Sequence, residues 1–215
     1  MSSDPLNVIS CAQVIGGGGG IGKAIAEYLI TRGKNVILAG RTDANLAATA
    51  HEIGASAYYL LDVGVVTDIR GPMHLTKRFL SHLRAKPHAL IINLTSIVAF
   101  VPFRLVNPGY NGTKAWLHSW TVILRTALDR AGANIRAVEI VPPTVGTDLH
   151  REAPDPDNNK KDKNPAALTV EEVIEEVVVG LVRGGGIIGA GPSVGVVKRW
   201  YRDFEGTYEA MMVIK

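Results

Sequence analysis

A run of five consecutive glycines, Gly16 to Gly20, constrains this chain more than any other feature. The apolar stretch Ala12 to Ile15 leads into it. Ile21-Gly22 follows, and Ile25, Leu29 and Ile30 then recur on one helical face. A strand, a glycine turn and a helix start together make a phosphate cradle. Glycine lets the backbone come close to a pyrophosphate, and the helix N-terminus offers N–H donors and the positive end of its dipole. Five glycines in a row equally suit a plain surface turn, so the surroundings must decide.

The surroundings alternate. Asn35 to Gly40 is a buried-strand run ending in Arg41, and Thr42 with Asp43 can cap a second helix toward His51. Ala57 to Asp62 is expected to be a third strand. A helix is expected over 72–83, with Leu75, Phe79 and Leu83 in line, and a strand over 89–94. Residues 113–130 have a strong helical period through Trp116, Trp120, Ile123, Ala127 and Leu128, and 135–141 is a strand. Thr169 and Glu172 form a capping box ahead of Val170, Val173, Ile174, Val177, Val178 and Leu181, and Ile187-Ile188-Gly189 is the last strand. Strands separated by helices predict an α/β domain with a doubly wound, mostly parallel sheet covered on both faces.

At 215 residues with 47% hydrophobic content, the chain suits one buried core, a single domain over 1–215. Its net charge of +3 comes without any basic cluster interleaved with aromatics, so nucleic acid is not expected as a partner. The single cysteine, Cys11, forms no internal disulfide. With no signal pattern and no membrane-spanning run, a cytoplasmic location is expected. The six histidines lack ligand spacing, so no metal is expected. Residues 151–164, rich in Asp, Asn, Lys and Pro with balanced charge, are expected to be a mobile loop near the site.

The end of the second strand selects between nucleotides. An acidic residue about 20 positions past the glycines would favour NAD. Arg41 stands there instead, suited to a 2′-phosphate, which favours NADP(H) over NAD(H). Further on, Tyr110 and Lys114 share one helical face at i and i+4, and Ser96 lies just past the strand at 89–94. Ile97, Val98, Phe100, Val101, Pro102, Phe103 and Val106, between Ser96 and Tyr110, make either an apolar substrate wall or core.

With these residues the chain resembles the short-chain dehydrogenase/reductase family, over nearly its whole length. Gly16, Gly20, Ile21 and Gly22 match that family's glycine motif, with Ile15 where a threonine is usual. Asp62 matches its adenine-contacting aspartate, and Ser96, Tyr110 and Lys114 its catalytic serine, tyrosine and lysine. Pro142 to Thr147 looks like its proline-glycine segment, with proline replacing glycine, in which Val145 and Thr147 hold the nicotinamide carboxamide. The resemblance implies a Rossmann fold and hydride transfer between nicotinamide and a small-molecule carbonyl or alcohol. Tyr110 would be the acid/base, Ser96 would steady the substrate oxygen, and Lys114 would lower the tyrosine's pKa from about 10. Lys114 would also bind the nicotinamide ribose. It further implies a homodimer or homotetramer through helices 72–83 and 113–130.

One interval breaks the pattern. Asp62 is followed almost at once by Asp68, heading the next helical segment, whereas a strand–helix–strand unit needs roughly 30 residues. The family's usual fourth strand has no candidate, which implies an internal deletion after the third strand. Either the strand at 89–94 closes against the first, or residues 57–66 move into the vacancy. By alignment Asp68 falls on the family's fourth catalytic residue, an asparagine. Two alternatives to an active enzyme therefore stand: a catalytically impaired nucleotide-binding protein that partners an intact relative, or a truncated isoform.

Overall fold

The computed structural model describes residues 4–40, 42–60, 65–102, 108–150 and 155–212, with backbone only at 65–68 and 150. Strand β1 (Cys11–Ile15) enters the glycine turn and helix α1 (Gly20–Thr31) leaves it. Strand β2 (Asn35–Gly40), helix α2 (Asp43–Ile53) and strand β3 (Ala57–Leu60) follow. Helix α3 (Val65–Arg84), strand β4 (Ala89–Leu94), helix α4 (Pro108–Arg130) and strand β5 (Ile135–Val141) make the middle of the chain. Helix α5 (Val170–Val182), strand β6 (Ile187–Gly189), helix α6 (Pro192–Trp200), a wide turn at Tyr201–Glu205 and helix α7 (Gly206–Met212) complete it.

Among the described residues, six strands form one parallel sheet in the order β3-β2-β1-β4-β5-β6. This is the doubly wound α/β fold expected. Of the two arrangements open for the middle of the sheet, the structure shows the first. Strand β4 lies directly against β1, from Cys11 opposite Ala89 to Ile15 opposite Asn93. With β2 on its other side, β1 keeps its ladder complete, so no orphaned backbone is left at the centre. Strand β3 ends the sheet, and Tyr58, Tyr59 and Leu60 on it are exposed.

Three boundaries differ from the sequence reading. Gly71-Pro72 looks like a helix start, because proline suits a first turn. Yet α3 begins at Val65 and runs through Pro72, and burial of Leu75 and Leu83 on the sheet overrides the local breaker. Helix α4 starts at Pro108 rather than Thr113; Gly109 and Gly112 hide its first turns, which have proline at the front. Residues 192–212 form a helical tail that periodicity alone did not single out, although Gly191-Pro192 is a start signal. The Thr169–Glu172 capping box forms as expected.

Candidate active site

The glycine turn is tied to the neighbouring strand end. The N–H groups of Gly16 and Gly17 both donate to the Ala39 carbonyl, at 2.8 and 3.0 Å. Gly16 has φ +93° and Gly20 φ +50°, left-handed conformations that side chains disfavour. At Gly22 a Cβ would land on the Gly16 carbonyl, so α1 reaches the turn only with glycine there. No side chain caps α1, and a Cβ on its N-cap Gly19 would meet nothing within 4 Å. Ile21 is buried behind the turn. An open, uncapped helix N-terminus at a glycine turn fits a pyrophosphate. Arg41 and Asp62 lie outside the described residues.

Ser96 follows the end of β4 and is buried at 8% exposure. It opens a 3-10 turn (Ile97–Ala99), where its hydroxyl accepts from the Val98 N–H at 3.4 Å. Backbone bonds hold this corner to the end of β5: Thr95 N–H donates to the Ile140 carbonyl at 2.9 Å, and Ile97 N–H to the Pro142 carbonyl at 3.0 Å. Tyr110 sits half-buried in the first turn of α4. One turn on, the Lys114 ammonium donates to the Leu94 carbonyl at 3.1 Å and lies 5.5 Å from the Tyr110 ring centre. The structure thus brings Lys114 to both the tyrosine and the strand end that carries Ser96.

The residues after β5 close over the glycines. A Cβ on Gly20 would come within 3.0 Å of the Thr147 methyl carbon. Val145 is buried and bridges Leu168, while Gly146 N–H donates to the Leu168 carbonyl at 2.9 Å. Asn159, only 1% exposed, clamps this segment by donating to the carbonyls of Val145 at 2.7 Å and Thr147 at 2.9 Å. Asn159 went unnoticed in the sequence because its surroundings are uniformly polar. Those polar neighbours pair locally. Lys163 holds the Asp155 carboxyl below its ordinary pKa through a hydrogen bond, and Lys160 meets Asp148 at 3.0 Å.

The stretch after Ser96 divides. Val98 is buried, Phe100 packs on the His118 ring at 4.3 Å between centres, and Val101 is exposed. Phe103 and Val106 lie outside the described residues. His118 itself, Glu139 and Thr95 form a buried polar cluster behind the site that sequence reasoning missed. A glutamate amid the apolar run Ile135 to Val141 was the available signal. Among the described residues no group of three potential ligands could hold a metal, and no helix is long and apolar enough to cross a membrane.

The family model for short chain dehydrogenase matches residues 10–70 and 61–158. The uncharacterized oxidoreductase DltE of Bacillus subtilis is 25% identical, across 80% of this chain and 84% of its own. A short-chain dehydrogenase from Sphingobium yanoikuyae, solved with NADPH, superposes with a TM-score of 0.71 at 19% identity, covering 96% of each chain. One from Burkholderia phymatum, solved with NAD, gives 0.70 at 16% identity over 93% of this chain and 95% of that one.

Proposed function

The chain belongs to the short-chain dehydrogenase family, and from that premise we propose that it is an NADP(H)-dependent oxidoreductase acting on a carbonyl or alcohol. The observation that carries this reading is Lys114, which lies beside the Tyr110 ring while bonded to the strand end that presents Ser96. Gly16, Gly20, Ile21 and Gly22 would hold the pyrophosphate, Asp62 the adenine, and Val145 and Thr147 the nicotinamide side. The bound nicotinamide would supply or accept the hydride. Tyr110 would pass a proton to the carbonyl oxygen in reduction, or take one from the alcohol in oxidation. Ser96 would donate a hydrogen bond to the same oxygen and steady its charge. The Lys114 ammonium would favour the phenolate form of Tyr110 and bind the nicotinamide ribose.

The choice of NADP over NAD rests on Arg41, since the two solved relatives hold one nucleotide each. Residue types at the second strand end support it: Ala39, Gly40 and Arg41 offer no carboxylate to ribose hydroxyls. Assembly through α3 and α4 is supported by an apolar outer stripe. Trp116 and Trp120 stack at 5.9 Å, and Ile123 and Met73 are exposed. The idea of a shortened interval after β3 is supported by the family match itself, which falls into two stretches that meet at 61–70. That interval also keeps a second reading open. If the interval lacks a strand, the direct pairing of β4 with β1 would shift Ser96 and Tyr110 relative to the nicotinamide, and the nucleotide could bind without turnover.

One experiment separates the two. The full chain is titrated with NADPH and NADH by tryptophan fluorescence, then assayed for NADPH oxidation with a panel of aldehydes and ketones. The oxidoreductase reading expects tighter NADPH than NADH, and a loss of about 10²–10⁴ in turnover for Tyr110→Phe. NADPH binding without Tyr110-dependent turnover supports the impaired nucleotide binder instead.

A further inference from the structure

The inner face of α4 carries polar residues among its buried apolar ones, Leu117, Val122 and Leu128. Lys114, His118 and Thr121 recur on it at helical spacing, and each is bonded to the sheet. The Lys114 ammonium donates to the Leu94 carbonyl, and the Thr121 hydroxyl accepts from the Asn93 amide at 2.9 Å. Between them the His118 Nδ1 meets Glu139 Oε2 at 2.8 Å. The other Glu139 oxygen, Oε1, accepts from the Thr95 hydroxyl at 2.6 Å. The Glu139 side chain has no exposure at all. Phe100 and Trp200 pack on the His118 ring, at 4.3 and 5.4 Å between centres, and keep that side apolar.

A carboxylate in the middle of a strand is costly to bury unless it is fully bonded. Its same-face neighbours on β5, Ala137 and Val141, show that an apolar residue suffices there for packing. What Glu139 adds is a link between two carriers. Thr95 immediately precedes Ser96, and His118 lies one turn beyond Lys114 and two beyond Tyr110. We propose that Glu139 is the positioning residue of the active site: by gripping Thr95 and His118 together it fixes the rotation and register of α4 on the β4 end. It touches no reacting atom. This rests on the oxidoreductase reading for its catalytic consequence, but not for its structural one.

The test uses the full chain with Glu139→Leu, Glu139→Gln and Thr95→Val, and reads three quantities in each. These are the kcat of NADPH oxidation, the NADPH Kd, and amide hydrogen exchange along the chain. Glu139→Leu is expected to lower kcat about tenfold or more, because small misplacements of reacting groups are expensive in rate. Its NADPH Kd should change less than kcat, since the glycine turn lies on other elements and only the proposed Lys114 contact with the ribose is on α4. Thr95→Val, which removes the hydroxyl that donates to Glu139 and to the Ile140 carbonyl and keeps the shape, should lower kcat about threefold. Glu139→Gln, which still accepts from Thr95, should restore most of the rate lost in Glu139→Leu.

Exchange should quicken in 95–99 and 110–118 in the Leu and Val variants, and stay unchanged in α1 and β2. Unchanged exchange at those positions in a folded variant overturns the proposal, whatever the activity. Quickened exchange with wild-type kcat also overturns it, leaving Glu139 a packing residue. If Glu139→Leu does not fold, Thr95→Val decides. If the wild-type chain binds NADPH without turnover, the oxidoreductase reading fails, and the exchange data still judge the link.

Discussion

The two faces of the sheet are built on different principles. Under α1, α2 and α5 lies one continuous apolar cluster, in which Ala12 and Val14 of β1 meet Val36, Leu38, Leu90, Ile92, Val138 and Ile140 from the strands on either side. Under α3 and α4 the apolar residues fall into smaller groups, around Cys11, Ile91 and Ala137, and around Ile15, Ala39 and Leu75. Gln13, Asn93 and Glu139, all fully buried, interrupt them. One face therefore carries the larger apolar core, and the other carries the candidate site. The same strands serve both because successive residues point to opposite faces.

The comparison breaks most easily at Leu90, fully buried in the apolar cluster. Leu90→Ala should destabilise by about 2–5 kcal/mol, a large part of the roughly 5–15 kcal/mol of an ordinary domain. A urea midpoint shift measures it. A loss below about 1 kcal/mol would mean that this face is not the stabilising one. Gln13 tests the opposite face with the opposite sign. Its amide is buried, and among the described residues neither its nitrogen nor its oxygen has a hydrogen-bond partner, as also holds for the Asn93 carbonyl oxygen and the Thr76 hydroxyl. Gln13→Leu keeps roughly the same volume and removes the unpaired amide, so the urea midpoint should rise, by an amount corresponding to about 1–3 kcal/mol. A fall would mean that the amide is satisfied in solution, and that the polar interruption on this face carries no stability penalty.

This division of labour explains how far the sequence could be read. The apolar face has simple signals: Ile25 and Leu29 on α1, Val173, Val177 and Leu181 on α5, and the runs in β1, β2, β4 and β5 all follow period. The glycine turn, Ser96 and Tyr110 stand out as candidates because each lies at or near an element boundary, where residue type is informative, and Lys114 because it follows Tyr110 at i+4. The polar face was not legible. Glu139, Thr95 and His118 come from three separate elements, and only folding brings them within hydrogen-bond reach. Asn159 was hidden for a related reason. One buried amide among many exposed polar residues has no signature in composition. The direct contact of β4 with β1 is a tertiary outcome, which local sequence leaves open between two arrangements and the strand register decides.

Cys11 offers the finest test, because it lies on the site face but at the end of the sheet away from the site, beside Leu83 and Ala89. Burial raises its thiol pKa, with the nearby Lys86 charge pulling slightly the other way. The native thiol therefore holds its proton at a pH where the unfolded thiol, with a pKa of about 8.5, has lost it. The sign follows from linkage: the neutral buried thiol leaves stability unaffected below the unfolded value, and stability falls as pH rises from there through the raised native value. Tyr201, also raised by burial, moves the same way, so the thiol must be isolated by difference. Wild type and Cys11→Val should show a constant gap in melting temperature from pH 6 to about 8, with the gap shifting in favour of the variant above about 8.5. The thiol should also resist alkylation in the native chain at pH 8. Rapid alkylation there would mean that the sheet opens at this end, and that the division between the two faces holds only around the site.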